Sequence, residues 1–218
     1  MKRFLSLFSV FILLLGLSGV ANAYDINYSY STNGNEFISP YAGVTTEDFE
    51  NLPFRWTWTG NAISPDGSLS GFYAAPYGVS APDDTWYISV PADFSGDPSA
   101  EVTDLGGTYN YFGLWWGSVD TYNTLTFLKD GVEVKSFTGS DAIYPSAANG
   151  NQMAPSSNLY VNFLNLPLYD SFTMSSTQYA FEADNISVGN VSVPEPTTLL
   201  LLGFGLVGLA GLSRKLRK

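Results

Sequence analysis

The sequence contains no cysteine and no histidine among its 218 residues. Without cysteine, the chain forms no disulfide and has no thiolate nucleophile. Without histidine, it has no imidazole to act as a general base, a proton relay or a metal ligand. These absences exclude Ser-His-Asp and Cys-His catalysis, zinc fingers, and copper or non-haem iron sites that need histidine.

Basic residues are also scarce, and most of them lie at the two ends of the chain. The protein has 9 Lys and Arg residues against 20 Asp and Glu. Between residues 24 and 193 only Arg55, Lys129 and Lys135 are basic, against 19 acidic residues, so this stretch has a net charge of −16. Such a body repels nucleic acid and anionic headgroups, and we predict no nucleic-acid partner. The acidity serves either solubility or cation binding, and composition leaves both open.

The N-terminal segment has the three parts of a secretory signal peptide. Lys2 and Arg3 precede an apolar run, and the small residues Ser-Gly-Val-Ala-Asn-Ala follow it. A positive n-region, an apolar h-region and a small-residue cleavage site define such a signal. The apolar run is short for a membrane span, which makes a retained helix the weaker interpretation. We predict a signal peptide over residues 1–23, with cleavage after Ala23.

The C-terminal segment combines a tripeptide, an apolar run and a basic tail. Pro194, Glu195 and Pro196 precede an apolar stretch that extends to Leu212, and Ser-Arg-Lys-Leu-Arg-Lys ends the chain. Residues 197–212 make about 24 Å of helix, which barely spans a hydrocarbon core of about 30 Å. We predict a single transmembrane helix here, with the basic tail in the cytoplasm and the acidic body outside.

This arrangement resembles the PEP-CTERM sorting signal of Gram-negative bacteria, in which the same tripeptide precedes an apolar helix and a basic cluster. The resemblance implies that an inner-membrane protease of the exosortase type recognises the tripeptide and releases the body. It also implies a transient anchor in the inner membrane and a final location at the cell surface or outside the cell. The chain then divides into a signal peptide at 1–23, a body at 24–193 and a sorting segment at 194–218.

The body has the pattern of an antiparallel β domain. No stretch keeps a helical period, and clusters of Gly, Pro, Asn, Asp and Ser recur about every ten residues. The segments between them are rich in aromatic residues, Val, Ile and Thr, as half-buried strands are. Many short strands with frequent turns predict an all-β fold, a β-sandwich or jelly roll. The predicted strands are 26–31, 54–59, 85–90, 111–116, 124–129, 132–137, 159–164, 172–175 and 185–191.

One hairpin can be placed from the sequence. Asp130-Gly131 is a favoured dipeptide of the two-residue type I′ turn, in which both central residues need positive φ. A ladder that continues from this turn pairs Phe127 with Val134. We predict that these two side chains share a face that points into the core.

Three blocks of the body resemble segments common in exosortase-dependent surface proteins of cyanobacteria and proteobacteria. They are residues 111–120 with Tyr-Asn-Thr after them, residues 160–163, and residues 181–186, in that order. That family brings no assigned activity. The resemblance therefore implies an exported surface protein and no particular chemistry.

Acidic residues early and late in the body resemble a structural Ca²⁺ site of jelly-roll domains of the MAM and carbohydrate-binding kinds. Glu50 lies early, and Glu182 and Asp184 lie in the block Phe-Glu-Ala-Asp-Asn-Ile. Ca²⁺ takes six to eight oxygen ligands, which suits a body without imidazole or thiolate. The resemblance implies that these three side chains bind Ca²⁺, which is the one cofactor we consider. The alternative is that Asp184-Asn185 makes a turn before a strand.

Tryptophan side chains are a second kind of candidate site. Trp56 and Trp58 alternate along one predicted strand and share a face, which favours core packing. Trp115 and Trp116 are adjacent and point to opposite faces, so one of them is the candidate for an exposed ring. Exposed rings of this kind stack on pyranose sugars in carbohydrate-binding modules.

These observations predict an exported, non-enzymatic protein of the cell surface or of a biofilm-type extracellular matrix. Two carboxylates suffice for glycoside hydrolysis, but among 19 acidic residues some pair lies close by chance, and no spacing indicates an acid and a base. The alternative is a carbohydrate-binding module for extracellular polysaccharide. The pairs Asp83-Asp84 and Glu47-Asp48 are expected to be solvated loop charges.

Overall fold

The structure is a computed structural model that describes residues 25–29, 37–78 and 81–192. Within these residues the chain forms eleven strands and one short helix, which confirms the predicted all-β class. The strands are β1 (Asp25–Ser29), β2 (Thr45–Glu47), β3 (Trp58–Gly60), β4 (Ile88–Val90), β5 (Ser99–Val102), β6 (Tyr111–Gly117), β7 (Asn123–Lys129), β8 (Val132–Thr138), β9 (Leu159–Leu164), β10 (Ser171–Ser176) and β11 (Phe181–Gly189), and the helix is α1 (Gly139–Ala142).

The predicted targeting segments fall outside the described residues. These are the signal peptide with its cleavage site after Ala23, the tripeptide Pro194-Glu195-Pro196 and the C-terminal apolar helix. In the part of the chain that the structure does describe, no helix has the length and apolar character needed to cross a bilayer.

The strands form two antiparallel sheets. The first sheet has the order β1-β9-β6-β11-β2, and β4 also pairs with β11. The second sheet has the order β3-β5-β10-β7-β8. From β5 onward the chain passes repeatedly between the sheets, so most neighbouring strands are distant in sequence. The last strand, β11, lies inside the first sheet and is therefore an integral part of the fold.

The two sheets pack face to face through aromatic side chains. Phe112 of β6 contacts Phe127 of β7 and Phe172 of β10, with ring centroids 5.1 and 4.9 Å apart. Phe163 of β9 lies 6.1 Å from Phe127. All four rings are fully buried and meet edge to face, the geometry that aromatic pairs prefer. Side chains from both inner faces thus form one core, as in a β-sandwich.

The predicted hairpin turn is confirmed. Asp130 and Gly131 have φ values of 52° and 75°, and Lys129 pairs with Val132 across the turn. Positive φ at both central positions is the geometry that selects the Asp-Gly dipeptide.

The register beyond the turn differs from the prediction by one residue. A bulge between Phe127 and Leu128 shifts the ladder, so that Phe127 pairs with Lys135. The predicted pair of Phe127 with Val134 is therefore wrong. A β-bulge adds one residue to a strand, and the turn dipeptide contains no information about a bulge further along the ladder. Phe127 is nevertheless fully buried, and Val134 packs partly buried against the core.

The last strand begins earlier than predicted. β11 includes Asp184 and Asn185, for which the sequence analysis considered a turn before the strand as one alternative. Asn185 has a φ of 49°, and the pairing with β6 shifts between Asp184 and Ser187. The Asp-Asn dipeptide therefore forms an irregularity within a continuous strand. The short strands β2 and β5 were not predicted, since three or four residues show too little alternation.

Both faces of the first sheet are covered. Every residue of β6 is buried, although alternation turns only every second side chain toward the second sheet. On the outer face, Phe37 stacks on Trp115 with ring centroids 3.7 Å apart, and Ser39 Oγ lies 2.6 Å from the hydroxyl of Tyr111. Loops that precede β2 and β4 thus form a third layer over this sheet.

Phe127→Ala is expected to lower the free energy of unfolding by about 3–5 kcal/mol, because it removes a ring at the centre of the core. Urea unfolding of the full chain in detergent measures this loss. Val132→Ala is the control, since Val132 is 67% exposed and its truncation should change stability by less than about 0.5 kcal/mol. A loss of that small size for Phe127→Ala would contradict the core assignment.

Candidate functional site

Two carboxylates on β11 mark the candidate site on the covered outer face of the first sheet. Glu182 and Asp184 are two positions apart, so both point away from the core that receives Phe181 and Ala183. Each carboxylate residue is only 2% exposed. They line two different cavities, which we call the Glu182 cleft and the Asp184 cavity.

The Glu182 cleft has a volume of about 450 Å³. Glu182 Oε1 accepts a hydrogen bond from the Ala74 N–H at 2.9 Å, and Oε2 accepts one from Ser118 Oγ at 3.1 Å. Burial raises the pKa of Glu182 to about 8, although both donors favour the charged form. This carboxylate therefore ties the loop at Ala74 to the sheet and carries a proton more readily than an exposed glutamate.

A second carboxylate, Asp120, lines the same cleft. The hydroxyl of Tyr122 donates to Asp120 Oδ2, and burial raises the pKa of Asp120. Gly150 has a φ of 66°, and a Cβ at this position would lie 2.5 Å from Asp120 Oδ1. A glycine is thus needed here both for the backbone conformation and for the close approach. The negative charge of Asp120 adds to the raised pKa of Glu182.

Aromatic rings stand at the edge of the Glu182 cleft. Tyr179 contacts Phe72 and Phe94, with ring centroids 5.1 and 4.4 Å apart, and both phenylalanines are exposed. Phe72, Tyr179 and the amide of Gln152 also line the cleft. Sequence analysis missed this group because its members lie on separate loops, and no spacing connects them.

The Asp184 cavity has a volume of about 310 Å³ and is lined by Asp83, Asp84 and Trp115 as well. Asp184 Oδ2 accepts a hydrogen bond from Asn185 Nδ2 at 3.2 Å. Burial raises the pKa of Asp184 well above its usual range, and the negative charge of Asp83 adds to this effect.

The three predicted Ca²⁺ ligands do not share a cavity. Glu182 and Asp184 lie in the two cavities described above, and Glu50 lines a third, where its Oε1 accepts a hydrogen bond from the Trp86 N–H at 2.8 Å. Glu50 still acts on Asp184 through its charge, which helps to raise the pKa of Asp184. Among the described residues, no three acidic side chains form a cluster that holds a metal ion. Ca²⁺ binding itself stays a prediction.

The tandem tryptophans are both buried, so the expectation of an exposed ring is wrong. Trp116 stacks on Phe181 in the core, with ring centroids 4.3 Å apart. Trp115 points to the outer face but is only 4% exposed, because Phe37 covers it. The third layer that covers Trp115 arises from contacts between residues that are far apart in the sequence. Ligand binding by Trp115 or Trp116 stays a prediction.

Two acidic residues that were expected to be solvated are instead buried or half-buried and accept hydrogen bonds from the backbone. Glu47 is buried and accepts hydrogen bonds from the backbone N–H groups of Phe49 and Arg55. Asp83 is half-buried and accepts from the Thr85 N–H at 3.1 Å. Their sequence neighbours, Asp48 and Asp84, are exposed as predicted.

Comparison with known proteins identifies one part of the chain. A family model described as the PEP-CTERM protein-sorting motif matches residues 192–215, which include Pro194, Glu195 and Pro196. This match confirms the resemblance seen in the C-terminal sequence. A search of curated proteins and a search of solved structures each found no match to the chain.

Glu182→Gln is expected to flatten the pH dependence of folding stability. The folded-state pKa of about 8 exceeds the ordinary value of 4.5, so the folded protein holds a proton that the unfolded chain releases. The stabilisation from this proton is complete below pH 4.5 and is lost as the pH rises through 8. Relative to the variant, the wild type should lose up to about 4 kcal/mol of unfolding free energy between pH 5 and 8.

Urea unfolding of the full chain at several pH values measures this difference. Glutamine keeps an acceptor for the Ala74 N–H and carries no charge, so the variant isolates the titration. Glu133→Gln changes an exposed glutamate on β8 and should follow the wild-type profile. Parallel profiles for the wild type and Glu182→Gln would contradict the raised pKa.

Proposed function

We propose that the chain, which carries a PEP-CTERM sorting motif, is a non-enzymatic protein of the cell surface or extracellular matrix. An inner-membrane protease of the exosortase type releases it after a signal peptide has directed its export. The observation that carries the proposal is the match of the sorting motif at residues 192–215. The net charge of −16 over residues 24–193 supports it, because such a body stays soluble and does not adhere to anionic membranes.

The junction between body and motif supports release without damage to the fold. β11 ends at Gly189, and Val191 is held to the body by Asn110 through two hydrogen bonds of 2.8 and 3.2 Å. The motif begins at residue 192. Cleavage at the tripeptide therefore leaves each described strand of both sheets in place.

The proposed body is a jelly roll, and the strand order supports this assignment. Four strands of the first sheet follow the order β2-β11-β6-β9, and four of the second follow β5-β10-β7-β8. Each set pairs late strands with early ones, as nested Greek keys do. In this proposal Glu182 has a structural role, because protein donors bind both of its oxygens.

A second candidate function is carbohydrate binding in the Glu182 cleft. The observation that favours it is a group of rings, the exposed Phe72 and Phe94 with the half-buried Tyr179, beside carboxylates and the amide of Gln152. Sugars combine apolar ring faces with hydroxyls, and this cleft offers partners for both. Its volume of about 450 Å³ suits a small ligand or one segment of a polysaccharide.

The exported form is expected to lack the residues beyond the sorting motif. Mass spectrometry of protein recovered from the cell surface or medium should find no peptide from residues 199–218. Pro194→Ala should leave the full-length form in the membrane, because it changes the recognised tripeptide. The matched control, Pro155→Ala, changes an exposed loop proline and should be processed normally. Recovery of intact C-terminal peptides from the wild-type exported form would contradict processing at the sorting motif, and the C-terminal segment would then be only a membrane anchor.

Carbohydrate binding is tested with the full chain on a glycan array. If the cleft binds sugar, Phe72→Ala and Phe94→Ala should each weaken retention about tenfold, roughly 1.4 kcal/mol, by removing a stacking surface. Trp86→Ala removes an exposed ring outside this cleft and should retain binding. No retention by the wild type would exclude this second function for the glycans on the array. Release of reducing ends from a bound polysaccharide would contradict the non-enzymatic assignment.

A further inference from the structure

The Asp184 cavity holds two buried carboxylate oxygens that have no hydrogen-bond partner among the described residues. No hydrogen-bond donor in the described part of the chain reaches Asp184 Oδ1 or Asp83 Oδ2. The other oxygen of each group is occupied, by Asn185 Nδ2 for Asp184 and by the Thr85 N–H and hydroxyl for Asp83. An unpaired carboxylate oxygen is costly to bury, so this pair requires a proton or a cation.

The described residues around this pair carry negative charge and offer no compensating positive charge. Asp84 also lines the cavity, and the charge of Glu50 acts on both Asp83 and Asp184. No lysine or arginine is among the described residues that line it. Of the basic residues of the body, Lys129 pairs with Asp170 at 2.7 Å, and Arg55 Nε donates to the carbonyl of Thr46.

We propose that the Asp184 cavity binds a divalent cation of the Ca²⁺ type, with Asp184 Oδ1 and Asp83 Oδ2 as its carboxylate ligands. Two hard oxygen donors suit Ca²⁺, which completes its six to eight ligands with neutral oxygens and water. The site differs from the trio inferred from sequence: it keeps Asp184, replaces Glu182 by Asp83, and leaves Glu50 as a nearby charge. With two carboxylates, its affinity falls in the range of extracellular modules, about 0.1–1 mM.

Such a site has a structural consequence for an exported protein. Asp184 lies in β11, and Asp83 lies in the loop that covers the first sheet before β4. A bound cation would join this loop to the sheet and neutralise part of the charge between them. The inference stands independently of polysaccharide binding, which concerns the Glu182 cleft.

Thermal unfolding of the full chain during Ca²⁺ titration at constant ionic strength tests the site. The melting temperature should rise by several degrees and saturate, with a midpoint at about 0.1–1 mM, since the ligand binds only the folded state. Mg²⁺ demands a tighter octahedron and should shift the melting temperature less. Asp184→Asn and Asp83→Asn should each weaken the Ca²⁺ response at least tenfold. Glu133→Gln, which removes an exposed charge elsewhere, should respond as the wild type does.

Tb³⁺ luminescence gives a second measurement that requires no carboxylate variant to fold. Trp115 lines the same cavity, so excitation of tryptophan should sensitise bound Tb³⁺, and Ca²⁺ should displace it. Trp115→Phe should lose most of this emission and keep the Ca²⁺ effect on melting. Equal stabilisation by Ca²⁺ and Mg²⁺, unchanged in Asp184→Asn, would overturn the proposal in favour of general screening. If Ca²⁺ does not change the melting temperature of the wild type and Asp184→Asn raises it, the cation proposal would be overturned, and a proton shared by Asp184 and Asp83 would be the alternative.

Discussion

The alternation of side chains along β11 is the constraint on which the rest of this structure depends. The strand lies within the first sheet, and it turns Phe181 and Ala183 into the aromatic core. The same pleat must turn Glu182 and Asp184 to the opposite face. In most two-layer β proteins that face meets water, but here loops cover it. The protein must therefore accommodate two carboxylates within a third layer.

The strand β6 beside β11 follows the same constraint. Phe112, Leu114 and Trp116 enter the core, whereas the residues between them face the covering loops. Gly113 leaves room on that outer face, because a Cβ there would lie 2.2 Å from the hydroxyl of Tyr111. This hydroxyl donates to Asn162 Oδ1 of β9 at 2.7 Å. The aromatic block at residues 111–117 thus contributes side chains both to the apolar core and to the hydrogen-bonded outer face of the first sheet.

The two carboxylates of β11 meet this burial in different ways. Glu182 obtains two donors from the chain and anchors the loop at Ala74. Asp184 obtains one donor, and the negative charge of Asp83 in the same cavity acts on it, while no lysine or arginine is among the described residues that line this cavity. The sorting motif begins at residue 192, beyond the end of β11 at Gly189. The matched sorting motif and the described strands therefore occupy separate parts of the chain, as the proposed release of the body requires.

The sequence by itself determined those features of the protein that depend on residues close together in the chain. The Asp130-Gly131 turn, the β class of the body and the sorting motif follow from dipeptide geometry, alternation and order along the chain. The absence of cysteine and histidine likewise excluded whole classes of chemistry.

Only the tertiary structure decided how the outer face of the first sheet is covered. The contact of Ala74 with Glu182 joins residues 108 positions apart, and the stacking of Phe37 on Trp115 likewise connects distant segments. Such contacts bury Trp115 and place Glu182 and Asp184 in separate cavities. They also bring Asp83 to the cavity of Asp184. No periodicity in the sequence encodes these pairings, because they arise from the packing of loops onto a sheet assembled from distant strands.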